Sequence, residues 1–274
     1  MKIKTLIENE TISSEYIQEH GLSLYIETLG EKILFDTGKT AAYIKNAKRM
    51  NVDLSAVTML ILSHGHYDHG GGLKAFLTIN SQAKIYVAKG AFDTRMAIRE
   101  TGEKAYIGLD QTLKNHPQIV IVDGPYQIKK GLRLFSKVPP IYPLPPANAN
   151  LFEIKDGNYV LDTFNHEHNL LIESEDKIII VAGCAHRGIC NIIDYAKNEF
   201  NVSIDIVIGG FHLHNRRSDL CASDQVVDDL ADYLMATGVC FYTGHCTGVE
   251  AFVRLQKKMG ARIQYLATGC QRDL

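Results

Sequence analysis

One short run constrains this chain more than any other: Ser63-His64-Gly65-His66-Tyr67-Asp68-His69, set directly after the apolar stretch Val57-Thr58-Met59-Leu60-Ile61-Leu62. An extended loop leaving a buried strand places His64 and His66 on one side, because side chains two apart point the same way. Asp68 and His69, at the following turn, then face a second position. Neutral imidazole and carboxylate suit zinc and related divalent ions, and three protein ligands with an open fourth place make a catalytic rather than a structural site. The bland alternative is a polar loop that happens to be rich in histidine. Four potential ligands within six residues beside a strand argue against it.

Composition sets outer limits. A chain of 274 residues with 46% hydrophobic content can bury one large core or two modest ones. A net charge of −2 gives no general basic field for nucleic acid. No stretch is long and apolar enough to cross a membrane, and Glu8 and Glu10 interrupt any signal-peptide pattern at the N-terminus. Six scattered cysteines without paired zinc-ribbon spacing read as reduced, mostly buried thiols, and a cytoplasmic location is expected.

Strands and helices alternate through much of the chain. Leu22, Leu24 and Ile26 alternate on one side of a strand, and Ile33-Leu34-Phe35 follow in a second, ended by Asp36-Thr37-Gly38. Thr40 can cap a helix carrying Ala42, Ile44, Ala47 and Met50. Leu73 to Ile79 reads as a short helix and Lys84 to Ala88 as a strand. From about Ala91 to Asn165 the pattern loosens. Five of the seven prolines fall between Val138 and Pro146, which rules out a regular helix or central strand there. The expectation is a single domain over 1–274 with an inserted flap or subdomain at about 91–165 covering the substrate.

The second half is regular again. Lys177 to Ala182, Ile204 to Ile208 and Val239 to Tyr242 read as buried strands, with helices at Ile189 to Asn198, Ser223 to Met235 and Val249 to Met259. Three strands end in glycine plus a potential ligand: Gly183-Cys184-Ala185-His186, Gly209-Gly210-Phe211-His212 and Gly244-His245-Cys246. Glycine permits a sharp turn and close approach at such ends. Together with Asp36 and the histidine loop, they point to one site assembled at strand ends.

The run His64, His66, Asp68, His69, with Asp36 on an earlier strand, resembles the metallo-β-lactamase superfamily. The segments around Gly183-Cys184-Ala185-His186-Arg187-Gly188, Gly209-Gly210-Phe211-His212-Leu213 and Thr243-Gly244-His245-Cys246-Thr247-Gly248 are similar to its dihydropterin-(ribofuranosyl)aminobenzene 5′-phosphate synthase-like branch. The resemblance spans about Asp36 to Cys270. It implies an α/β fold, the αββα sandwich: two mixed sheets face to face, helices outside, and the metal site at one edge. It also implies two metals, one on the first two histidines of the motif and one on Asp68 and His69, with His245 completing the second. Where the superfamily delivers a bridging Asp, this chain has Cys184. Cys184, His186 or His168 can complete the site, and His186 is preferred.

Roles follow from that assignment. The expected cofactor is one or two divalent ions per chain, zinc first, with manganese or iron as alternatives. Asp68 is a ligand and a proton acceptor; His212 donates to a substrate oxygen or coordinates; Asp36 orients a ligand histidine or the loop. Arg187 is a candidate phosphate partner, with Lys129-Lys130 as a weaker hint. His214 and His116 are read as surface residues. The leading function is hydrolysis of a phosphate ester or phosphodiester of a small metabolite through a metal-activated water. Cleavage of a carboxylic ester, thioester or lactone is the alternative enzyme reading, and a non-catalytic metal-containing effector the third. The expected partner is a small, phosphorylated substrate, with no membrane or nucleic acid; an oligomer is compatible. His66→Ala is expected to abolish metal loading and turnover with the fold intact, checked by elemental analysis and circular dichroism; retained activity at normal metal content would refute the ligand role.

Overall fold

The strand Ile178–Val181 reads Ile-Ile-Ile-Val, apolar on both faces, and both faces are covered. Ile179 and Val181 turn into one core layer and Ile180 into another. The same division holds for Ile33, Phe35 and Ile61 against Leu34, Leu60 and Leu62. Strands apolar on both sides need a layer on each side. The chain supplies it by stacking two sheets and placing helices outside them. The computed structural model describes residues 1–99, 101–174, 176–216 and 220–274.

The first seven-stranded sheet runs Gln271–Asp273, Lys2–Ile7, Ser23–Thr28, Glu31–Phe35, Met59–Leu62, Lys84–Ala88 and Ile119–Val122. Its first three pairings are antiparallel and the rest parallel. The second runs Ile263–Tyr265, Cys240–Thr243, Ile206–Ile208, Ile178–Val181, His168–Glu173, Leu132–Ser136 and Tyr126–Lys129. Here the first four strands are parallel and the remainder antiparallel. Between the sheets lie Ile3, Leu24, Ile26, Ile33, Phe35, Ile61, Leu134, Leu170, Ile179 and Ile208. The helices Ala42–Arg49 and Leu73–Ile79 cover the first sheet through Tyr43, Ala47, Leu73 and Phe76. Ile189–Phe200, Asp224–Thr237 and Val249–Met259 cover the second through Ile192, Ile193, Ala231, Leu234 and Leu255. This is the αββα sandwich.

Most expected elements lie where the sequence pattern sets them. Ser223 caps its helix by accepting the Val226 N–H, and Gly260, at φ +57, follows the last. In the first helix the cap position is Ala41, and Thr40 contributes by accepting the Ala42 N–H from one residue earlier. That helix buries Tyr43, Asn46 and Ala47, while Ile44 is only partly covered.

The segment 91–165 requires a correction. It is not one insertion: Ile119–Val122 forms an edge of the first sheet, and the hairpin Tyr126–Lys129 with Leu132–Ser136 belongs to the second. Ile119–Val122 and Tyr126–Lys129 are edge strands, whereas Leu132–Ser136 is paired on both sides. A separate four-stranded sheet, in the order Asn158–Leu161, Leu151–Lys155, Arg95–Ile98 and Lys104–Tyr106, carries the covering part. The proline run stays irregular up to the short 3-10 turn Pro146–Asn148. All six cysteines are free thiols; Cys184, Cys246 and Cys270 are buried, whereas Cys221 and Cys240 are exposed. Among the described residues no helix is long and apolar enough to cross a membrane.

Leu170, at 0% exposure between the sheets, tests the packing. Leu170→Ala should cost about 2–5 kcal/mol in a urea melt of the metal-free protein, as buried leucine truncations do.

Candidate metal centre

The parallel strands of both sheets end at the same edge, and the loops leaving them carry the expected residues. Met59–Leu62 leads into Ser63 to His66 and then the single turn Tyr67–Gly70. Gly65 has to be glycine in this path, since a Cβ there would lie 2.2 Å from the Ala91 carbonyl oxygen. The turn is fixed by backbone bonds from Leu22 N to Asp68 O and from Thr37 N to His69 O, at 3.2 and 2.7 Å.

Asp36 organises this loop from the next strand. Its Oδ1 accepts the Ser63 N–H at 2.7 Å, while Oδ2 lies 2.7 Å from both Ser63 Oγ and His69 Nδ1. Ser63 Oγ in turn lies 2.9 Å from His64 Nδ1. With their Nδ1 atoms held, His64 and His69 both direct Nε2 inward. Asp36 thus reaches Ser63 and His69 through hydrogen-bonding contacts within this loop.

Two groups of donors result. His64 Nε2 stands 3.0 Å from His66 Nδ1 and 3.3 Å from His186 Nε2. His69 Nε2 stands 3.1 Å from His245 Nε2 and 3.7 Å from Asp68 Oδ2, and that oxygen lies 3.4 Å from His245 Nε2. Cys184 Sγ, 3.1 Å from His69 Nε2, sits between the groups, within one cluster with His64 and His69 and another with His186 and His212. A tetrahedral ion with Zn–N bonds of about 2.0–2.1 Å would space its ligands by about 3.3 Å. The donor spacings therefore fit metal coordination, and the lone pairs face one another in a way that hydrogen bonds alone satisfy poorly.

Electrostatics favour neutral imidazoles at His64, His66 and His186, but not at His69. Burial, helped by neighbouring imidazoles, holds His64 and His186 well below the usual histidine range and His66 at about 3. For His69 burial works in the same direction, but the Asp36 and Asp68 carboxylates outweigh it and raise the pKa to about 9. Burial opposes ionisation of Asp68, yet the surrounding His69, His245 and His20 hold it well below the carboxylate range. Burial pushes the Cys184 thiol up; a metal would favour its thiolate.

Several residues escaped the sequence reading. His20 Nε2 lies 3.3 Å from Asp68 Oδ2, next to His245. The available signal was His20-Gly21 just before a strand, where a Cβ at Gly21 would meet Asp68 O at 2.5 Å. Glu8, fully buried, accepts the His245 N–H, and Asn9 Oδ1 lies 3.0 Å from His245 Nδ1. His186 is held by Asn148 Oδ1 at 2.8 Å and by a Phe164 ring stacked at 4.4 Å. His214, expected at the surface, lines the crevice over the site.

Three other expectations change or stay open. Arg187 does not face a substrate: Nε and Nη2 donate to Val138 O and Nη1 to Thr163 O, so the guanidinium ties the proline run to the core. Lys129 pairs with Glu31 at 2.6 Å, on the outer hairpin of the second sheet. His168 is buried, and its backbone N–H donates to Ser63 O. His212 packs 4.1 Å from the His186 ring, with the Cys246 sulfur as its polar neighbour. Asp36, Ala185, His212 and His245 all have positive φ, between 48° and 61°. Such strain in residues other than glycine concentrates at functional sites.

Strand-end loops of a stacked double sheet, converging a histidine-rich donor set that could hold a metal, define an αββα protein of the metallo-β-lactamase kind. The metallo-β-lactamase superfamily profile matches residues 17–186, and the chain belongs to that superfamily. It is 31% identical over 271 residues to 7,8-dihydropterin-6-methyl-4-(β-D-ribofuranosyl)-aminobenzene-5′-phosphate synthase of Methanocaldococcus jannaschii, covering 92% of this chain and 89% of that one. An uncharacterised protein of the same organism is 30% identical over 260 residues, covering 93% and 94%. A crystal structure of a metal-dependent hydrolase of the β-lactamase superfamily superposes with a TM-score of 0.83 at 27% identity, covering 100% and 99%.

Cys184→Ser should lower metal retention during dialysis against a weak chelator, because a serine hydroxyl is a poorer ligand than a thiolate for zinc. Unchanged retention would place the load on His186 instead.

Proposed function

We propose that this chain is a metal-dependent hydrolase acting on a phosphate ester or phosphodiester of a small metabolite. The observation that carries the reading is the pair of donor groups flanking Cys184, each with ligand atoms at coordination spacing. His64 Nε2, His66 Nδ1 and His186 Nε2 would hold the first ion; Asp68 Oδ2, His69 Nε2 and His245 Nε2, with His20 beside them, the second. Cys184 Sγ would stand where both can share it. Zinc suits this mixture of imidazole, thiolate and carboxylate, with iron next and manganese less favoured by the sulfur. Held there, a divalent ion supplies an acidified water and polarises the phosphoryl or carbonyl oxygen under attack.

The remaining work falls to the chain's own residues. Asp68, itself a member of the second donor group, is kept ionised by its histidine neighbours and would serve as both ligand and proton acceptor. His212 hangs over His186 at the floor of a crevice of about 60 Å³ and is placed to hand a proton to a leaving oxygen. Ala97, Ile107 and Leu151 form the apolar part of that crevice and exclude water, while Tyr67 and Arg99 add polar groups to its wall. The crevice shares His214 and His245 with a wider cleft of about 770 Å³ whose lining includes Arg216 and Lys257. Asp224, Asp228 and Glu250 line the same cleft, so the support for a phosphorylated substrate is the 5′-phosphate in the name of the M. jannaschii relative. The same apparatus would open a carboxylic ester, thioester or lactone.

A second reading follows from that relative, which is named as a synthase and shares 31% identity. In it the site would hold a phosphorylated substrate for condensation rather than hydrolysis.

The test is to strip the protein with a chelator, reload zinc, iron(II) or manganese, and assay p-nitrophenyl phosphate, bis-p-nitrophenyl phosphate, p-nitrophenyl acetate and a homoserine lactone. The expected result is metal-dependent release of p-nitrophenol from a phosphoester, with His212→Gln lowering kcat by about 10²-fold, the loss typical of a general acid. A loaded protein that cleaves none of these would set hydrolysis aside and favour the synthase reading.

A further inference from the structure

The two loops that would build the first metal position come from different sheets. His64 and His66 follow a strand of the first sheet; His186 follows a strand of the second. Among the described residues no strand ladder sets one loop against the other, yet their Nε2 atoms stand 3.3 Å apart at His64 and His186. Close approach is permitted at Gly183, where a Cβ would lie 2.3 Å from Ser63 Oγ. Permission is not registration, so something else must hold the spacing.

We propose that the dipeptide His166-Glu167 is a clip that registers these two loops and thereby sets the geometry of the first metal position. His166 Nδ1 accepts the N–H of Gly65, the residue between the two histidines, at 3.0 Å. Glu167 Oε1 accepts the His186 N–H at 2.7 Å, and Oε2 accepts the Arg187 N–H at 3.0 Å. The next residue, His168, donates its own N–H to Ser63 O at 2.8 Å. Consecutive residues thus grip both loops on short, directional bonds. All three are at most 1% exposed, so water does not compete for those bonds.

His166 is fixed in one tautomer. Because Nδ1 accepts from a backbone N–H, the ring proton sits on Nε2, which faces Asp162 Oδ2 at 3.1 Å. Asp162 also meets Arg95 Nε at 3.4 Å, and Arg95 Nη1 reaches Glu153 Oε2 at 2.9 Å. Arg95 and Glu153 pair across neighbouring strands of the small four-stranded sheet. The clip is therefore anchored in the layer that covers the crevice. With both ring nitrogens committed, His166 is a positioning residue and not a ligand, although its ring lies 5.6 Å from that of His66.

The inference rests on the metal-centre reading, and its test separates the two. Zinc affinity would be measured by chelator competition, with elemental analysis, for the full-length wild type, His166→Phe, His166→Asn and Glu167→Ala. His166→Phe keeps a ring and removes the acceptor; His166→Asn returns an acceptor oxygen. Removing a group that supports a ligand typically weakens metal binding about 10–100-fold. One zinc step is expected to weaken by that factor in His166→Phe and Glu167→Ala, with the other step little changed. His166→Asn is expected to recover most of the loss, while the metal-free forms of the two His166 variants melt together. Unchanged affinity in His166→Phe and Glu167→Ala would overturn the clip and leave the metal centre standing. So would a His166→Asn variant as weak as His166→Phe. A wild type that takes up no zinc, iron or manganese would overturn both.

Discussion

Asp36 is the group on which the rest of the site depends. It is a fully buried carboxylate, and its oxygens receive a backbone N–H, a serine hydroxyl and an imidazole nitrogen from one loop. A carboxylate cannot remain charged in a dry interior without such partners. The dependence runs both ways. Asp36 needs the loop to satisfy it, and the loop needs Asp36 to aim His69 and, through Ser63, His64. Few other polar arrangements at that strand end would satisfy the same charge.

The sandwich provides what that arrangement requires. Residues in the left-handed region cost about 1–3 kcal/mol each outside glycine. Asp36, Ala185, His212 and His245 all sit there, at the ends of strands from both sheets. The strain persists because the strands behind them are fixed by apolar layers on both faces, from Leu34 and Leu60 on one side to Ile180 and Val207 on the other. A rigid double sheet delivers its loops to one edge. The small four-stranded sheet then closes over that edge with Ala97, Ile107 and Leu151.

Hydrogen bonds around the edge form two shells with different sources. The inner one consists of histidines, Asp68 and Cys184, supplied by strand-end loops. The outer one consists of Glu8, Asn9, Asp36, Asn148, His166 and Glu167, which hold backbone N–H groups or the far nitrogens of the imidazoles. The thiol at Cys184 is the chemically distinctive member of the inner set, the sulfur among imidazoles and a carboxylate.

What the sequence by itself determined is local. Short apolar runs, three of them ending in glycine and a potential ligand and one in the histidine loop, marked the central strands, the helices after them and the edge where His64, His66, Asp68, His69, His186 and His245 would meet. Those signals sit within a few residues of one another, so periodicity and spacing suffice to read them. Tertiary structure decided the rest. His20, Glu8, His166 and Glu167 reach the site from segments with no ligand pattern of their own, and Arg187, beside a ligand, turns away to backbone carbonyls. The strands at Ile119–Val122 and Tyr126–Lys129 take their places at the sheet edges by pairing with strands distant in the chain or across a hairpin, which local pattern does not specify. Local pattern names the groups that can ligate; which distant groups satisfy them depends on contacts between residues up to 237 positions apart, and no local spacing encodes those.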